Sequence, residues 1–303
     1  MFKRKLPGEI TLLLAAIIWG SSFVAQSLGS ETVECFTYNG VRSLIGAGVL
    51  LITVALLNKA RGGRPGGQEY KRLIKGGVIC GCFLYAAVNA QQYAIAYVDP
   101  VLGKTLIGKV GFLTTLYMVL VPVIGIFLGR KTGLMTWISV IVALAGMWLL
   151  TGAGVGGGIN ASVLASLLSA LMFALQIIAV DKYAPNCDCL RLSMVQFTVC
   201  GVLSMLTAFI FETPTWQAVY AGKWPLLYSG IMSSGIAYTL QMVGQKNCRP
   251  QVASIIMSLE SVFCALAGLL FLGESMCVAE YIGCVLMFAA VLLTQVKTTD
   301  AKN

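Results

Sequence analysis

Apolar, helix-length runs fill almost the whole chain. A bilayer core about 30 Å thick is crossed by about 20 mostly apolar helical residues. Five runs carry no charge: Ile10–Ser30, Gly76–Val98, Val110–Gly129, Leu192–Phe211 and Trp224–Gln245. Thr132–Val180 is also uncharged but too long for one span, and the glycine-rich run at 151–158 divides it in two. Three further runs carry one charge each: Cys35–Asn58 with Arg42, Pro250–Gly273 with Glu260, and Ser275–Val296 with Glu280. The pattern predicts an all-α membrane protein with ten transmembrane helices.

The composition excludes the alternatives. The chain is 58% hydrophobic and 11% charged, against about 25% charged in an average soluble domain. A soluble fold cannot hide that much apolar surface, and a membrane barrel needs alternating apolar and polar positions that these runs lack. The net charge of +9 does not point to nucleic acid, because the charge is sorted by side. With a cytoplasmic N-terminus, the inner loops receive Lys59, Arg61, Arg64, Lys71, Arg72, Lys75, Arg130, Lys131, Lys182, Arg191, Lys246 and Arg249. The outer loops receive Glu31, Glu34, Asp99, Glu212, Glu274 and Glu280, with Lys223 and Lys104 the basic exceptions there. Lysine and arginine bias sets orientation, so both termini are expected in the cytoplasm. The basic loops would also meet anionic lipid headgroups. The basic start and first apolar run mimic a signal peptide, but the run is too long for one, and a retained first helix is expected. The ten cysteines suggest no disulfide framework, and Cys187 and Cys189 lack a second ligand pair for a metal.

The chain reads as two repeats, residues 1–155 and 156–303. An offset of 154 places Trp19 on Phe173, Ser22 on Gln176 and Arg42 on Gln196. An offset of 150 places Gln91 on Gln241 and Pro100 on Pro250, and one of 144 places Phe127 on Phe271. The order of the matches is preserved. Five spans per repeat is odd, so the second copy would enter the membrane inverted. Inverted repeats are a common plan of secondary transporters, with the substrate at the midplane between the halves.

Ionisable residues inside spans are costly and mostly face the bundle interior or a wet cavity. Arg42, Lys109 and Glu260 are the three. Arg42 reads either as a clamp, with Glu260 as its partner, or as a contact to an anionic substrate group, which its planar donors suit. Lys109 either snorkels outward or faces the cavity. Glu260 is the candidate proton carrier, or else a structural charge partner. Neutral polar residues group by helix face: Tyr85, Asn89 and Gln92 with Gln91 adjacent, then Ser234, Tyr238 and Gln241, then Trp19, Ser22 and Gln26. Gln176 and Gln196 hold matching places in the second half. Stripes in corresponding helices predict a shared polar cavity, with Trp19 and Phe112 as apolar walls. Histidine is absent, which removes a Ser-His-Asp triad and histidine metal sites. No nucleotide-binding loop is present, and no cofactor is expected. The expected partners are a small-molecule substrate and the lipid bilayer. A monomer suffices for such a protein, and the sequence does not fix the oligomeric state.

Particular motifs also carry a family resemblance. Trp19-Gly20-Ser21-Ser22-Phe23, Gln91 ahead of Gly111-Phe112-Leu113-Thr114-Thr115-Leu116-Tyr117, and Ser258-Leu259-Glu260-Ser261-Val262-Phe263 followed by Leu272-Gly273-Glu274 resemble the EamA type of the drug/metabolite transporter superfamily. The resemblance spans roughly residues 8–296. It implies ten helices in two repeats and a central cavity lined by helices 3, 4, 8 and 9, with helices 1, 2, 6 and 7 gating. It also implies a bacterial inner membrane and transport of amino acids or other metabolites. Asp99-Pro100 and Lys104 depart from the commoner pattern. The expected function is secondary transport of small organic metabolites by alternating access, export being the family habit, with or without proton coupling. An uncoupled channel and a lipid flippase remain the alternatives.

Overall fold

The structure, a computed structural model, describes residues 7–61, 67–97, 107–150, 160–271 and 277–294, without the side chains of 60, 61, 107–109, 268 and 271. The described residues are helical, with short turns between. Elements α1 (Gly8–Ser30), α2 (Cys35–Arg61) and α3 (Gly67–Ala96) are unbroken. The fourth apolar run is broken into α4 (Ile107–Thr115) and α5 (Tyr117–Phe127), followed by α6 (Leu134–Leu150). Then come α7 (Ala161–Tyr183), α8 (Cys189–Phe211), the short α9 (Trp216–Ala221) and α10 (Lys223–Tyr228). A π-helical segment, Ser229–Ala237, joins α10 to α11 (Tyr238–Gln245). The ninth run is broken into α12 (Pro250–Met257) and α13 (Glu260–Phe271), and α14 (Val278–Thr294) follows. Among the described residues, seven helices are long and apolar enough to cross a membrane, and Leu134–Leu150 and Val278–Thr294 are shorter apolar helices. The protein is therefore a multi-pass membrane protein.

Local chemistry sets the ends. Asn160 and Asp188 cap α7 and α8, their side chains accepting from Val163 N and Arg191 N at 3.0 Å. Such caps satisfy orphan amides of the first turn. The start of α2 is capped from a distance: the Glu212 carboxylate accepts from Phe36 N and Thr37 N at 2.7 Å. At the end of α5, Gly129 adopts φ +75°, a left-handed conformation that glycine takes without steric cost.

The helices pack in antiparallel pairs. In α2 and α8, Gly40 lies against Met205, Gly201 against Leu44, and Asn58 bonds Arg191 at 2.6 Å. In α3 and α7, Gly76 meets Tyr183 and Ser169 Oγ donates to Ala87 O at 2.9 Å. In α6 and α14, Gly146 and Gly283 bring the two backbones together, the small-residue packing expected where lipid offers no hydrophobic drive. In α1 and α11, Gly8 meets Gly244 and Trp19 stacks edge-on to Tyr238 at 4.7 Å. Helix α1 also crosses α13 at Gly20, against Phe263, as α7 meets α5 through Phe173 and Tyr117 at 6.2 Å.

Candidate functional site

The two helix breaks meet at the centre. Before Leu116, Thr114 Oγ1 donates to Val110 O at 2.8 Å. At the other break, Ser258 Oγ donates to Ile255 O at 2.7 Å. Such back-bonding by hydroxyls bends helices. Tyr117 and Glu260 are the first residues after their breaks, and the Tyr117 hydroxyl donates to Glu260 Oε1 at 3.2 Å. Thr115 Oγ1 and Ser261 Oγ lie 3.0 Å apart beside them. Discontinuous helices of this kind are where transporters place their binding groups.

A cavity opens on these breaks. Helix α1 contributes Trp19, Phe23 and Gln26, α2 contributes Arg42, and α3 contributes Gln91. Tyr117 of α5 faces Phe173, Gln176 and Ile177 of α7. Ser233, Tyr238 and Gln241 close one side, and Met257 and Glu260 another. The cavity volume is about 30 Å³, enough for about two waters.

Its wall is polar and incompletely paired. Gln241 Nε2 donates to Gln176 Oε1 at 3.1 Å, and Gln176 Nε2 donates to Gln196 Oε1 at 3.1 Å. Trp19 Nε1, Gln26 Oε1, Arg42 Nε and Gln241 Oε1 are buried with no hydrogen-bond partner among the described residues. Arg42 is 4% exposed and Glu260 7%, yet no ion pair joins them. The Arg42 guanidinium lies 5.7 Å from the Tyr38 ring centroid, a cation–π contact that offsets part of its desolvation.

Of the residues singled out in the sequence, Trp19, Gln26, Arg42, Gln91, Gln176, Tyr238, Gln241 and Glu260 line this cavity. Ser22 is buried beside it on α1, and its hydroxyl has no partner among the described residues. Tyr85, Asn89 and Gln92 lie elsewhere, in helix contacts. Asn89 accepts from Asn39 at 3.0 Å and donates to Ser204 at 2.8 Å. Tyr85 and Thr207 share a hydroxyl bond of 2.6 Å, and Gln92 donates to Ser30 at 2.6 Å. Their stripe finds its polar partners on α1, α2 and α8, so it turns away from the cavity. Phe112 packs edge-on against Trp148 at 6.2 Å. Lys109 falls in α4, but its side chain lies outside the described residues.

The third, fourth, eighth and ninth apolar runs, which the resemblance expects to line the cavity, each contribute to the lining, and α1, α2 and α7 line it as well. Phe23, Tyr117, Phe173, Ile177, Ser233 and Met257 were not singled out as site residues in the sequence. The available signal was positional: Tyr117 and Glu260 stand near one another when the repeats are superposed at the 144 offset.

Comparison with known proteins agrees with this architecture. An "uncharacterized transporter" of Archaeoglobus fulgidus is 25% identical over 97% of this chain and 87% of its own length. The "uncharacterized transporter YwfM" of Bacillus subtilis is 24% identical, covering 94% of this chain and 92% of its own. A solved crystal structure shares the fold with a TM-score of 0.75 at 19% identity, over 95% of this chain and 96% of that one. The EamA-like transporter family matches twice, over residues 6–152 and 160–296. With nearly its full length covered by those two matches, the chain belongs to the EamA-like transporter family.

Proposed function

We propose that this protein is a secondary transporter of small zwitterionic metabolites such as amino acids, working by alternating access. One observation supports the reading above the rest: Arg42 and Glu260 are buried in the wall of one cavity without neutralising each other. An unpaired buried charge costs several kcal/mol, and a ligand carrying the opposite charges offsets that cost. A substrate carboxylate fits Arg42, whose donors suit it bidentately, and an ammonium group fits the Glu260 side. Trp19 Nε1 and the Gln26 and Gln241 carbonyl oxygens supply one donor and two acceptors for the remainder.

The proposed frame is ten spans in two inverted repeats, residues 1–155 and 156–303. The seven long helices, the two shorter ones and the run Lys223–Gln245 make up the ten. Helix pairing supports the inversion. Exchange of each first-half rod for its second-half counterpart leaves α2–α8 and α6–α14 unchanged, and turns α3–α7 into α11–α1. A small cavity between two equivalent halves can open toward either side at similar energy. The basic loops support cytoplasmic termini in a cytoplasmic (inner) membrane, and export follows family habit.

Glu260 is the proposed proton carrier, with Tyr117 holding its carboxyl group. The test is uptake of labelled amino acids into proteoliposomes, with and without a proton gradient. Wild type is expected to respond to the gradient, and Glu260→Gln to lose that response. Identical transport by the variant at every pH removes the proton role.

A further inference from the structure

A slot between α2, α3 and α8 has a volume of about 380 Å³, against about 30 Å³ for the central cavity. Its walls are apolar: Leu51 and Ala55 of α2, Ile74 of α3, and Met194 of α8. At one end it turns polar, where the Arg191 guanidinium donates to Asn58 Oδ1 at 2.6 Å. The slot faces the bilayer, since Leu51 is 57% exposed and its neighbours Ile52 and Leu56 are 62% and 64% exposed. Lys59 near the end of α2 and Lys71, Arg72 and Lys75 in the first turns of α3 are exposed on the same side of the bundle, outside the lining of the slot. Two carboxylates stand nearby. Glu69 is exposed in the first turn of α3, and Asp188 is engaged in capping α8.

We infer that this slot is a binding site for an anionic phospholipid, with an acyl chain between α2, α3 and α8 and the phosphate at Arg191. An apolar channel with a guanidinium at its polar end matches that amphiphile. Basic pockets between membrane helices bind anionic headgroups, and an acyl chain in the slot covers the apolar walls where α2 and α3 diverge over α8. The site's place in the cytoplasmic leaflet rests on the proposed topology. The site itself joins the two halves, since α2 and α3 belong to the first and α8 to the second, so an occupant would hold their relative position.

Binding is measured on the full chain in detergent, where neither topology nor transport enters. Native mass spectrometry would follow titration with dioleoyl phosphatidylglycerol and, separately, dioleoyl phosphatidylcholine. Wild type is expected to retain the anionic lipid at lower concentrations. Arg191→Gln should weaken that retention about fivefold, Arg191→Lys should keep most of it, and Ala55→Phe should fill the slot and abolish it. Inorganic phosphate should not compete. Equal retention of the two lipids, unchanged binding in Ala55→Phe or Arg191→Gln, equal losses in Arg191→Gln and Arg191→Lys, or full competition by phosphate would each overturn the assignment.

Discussion

Arg42 and Asn89 show how differently two buried polar residues of neighbouring helices are used. Asn89 is bonded on both sides, to Asn39 and Ser204, whereas Arg42 Nε has no partner among the described residues. Replacing an unpaired buried charge by an apolar side chain of similar volume is neutral or stabilising. Arg42→Met should therefore leave thermal stability in detergent unchanged or higher, while amino acid uptake falls at least about tenfold. A loss of stability in step with uptake would make Arg42 a structural clamp. Asn89→Ala should behave oppositely. It strands buried partners at a cost of about 1–3 kcal/mol, seen as a lower unfolding midpoint, while uptake per folded molecule stays near wild type. The sequence marked Arg42 as a costly charge in a membrane and Asn89 as part of a polar stripe, both assigned to the cavity. It could not separate them, because the difference lies in whether Ser204 and Asn39 arrive from other helices to bond the amide. The missed wall residues Phe173 and Met257 are apolar, and nothing in an apolar run distinguishes a cavity wall from a lipid contact.

The apolar runs were legible as elements because length and charge alone define a span. Their interruptions were not. The breaks at Leu116 and at Ser258–Leu259 arise from hydroxyl back-bonds and leave hydropathy untouched. The π-helical segment at Ser229–Ala237 likewise sits inside a continuous apolar run, where its small residues let α2 approach, Ser234 lying against Gly46. Glycines give a sharper element-scale test. A Cβ on Gly283 would fall 2.5 Å from Gly146 O and 2.6 Å from Leu150 N, both backbone atoms, whereas one on Gly48 would meet nothing within 4 Å. Gly283→Ala should lower stability by about 1–3 kcal/mol through overpacking of α6 against α14. Gly48→Ala should be neutral or stabilising by up to about 1 kcal/mol through helix propensity. Thermal unfolding of the two variants side by side would check both.

At the scale of the molecule, the odd number of runs in each half predicts an inverted arrangement, and the antiparallel pairs α2–α8 and α6–α14 are what such an arrangement needs. The small volume of the cavity was beyond the sequence, since it depends on how side chains from separate helices meet at the helix breaks. With the inverted repeats it leads to the proposed mechanism: one site, reached alternately from the two sides by exchange of the halves' roles. The measurement that tests it most directly is counterflow in proteoliposomes. Vesicles preloaded with unlabelled mixed amino acids should take up external labelled amino acids faster than empty vesicles, and Arg42→Met should abolish the difference. Uptake that preloading slows or leaves unchanged, at the same rate in Arg42→Met, would mean an open pore and would contradict alternating access around this cavity.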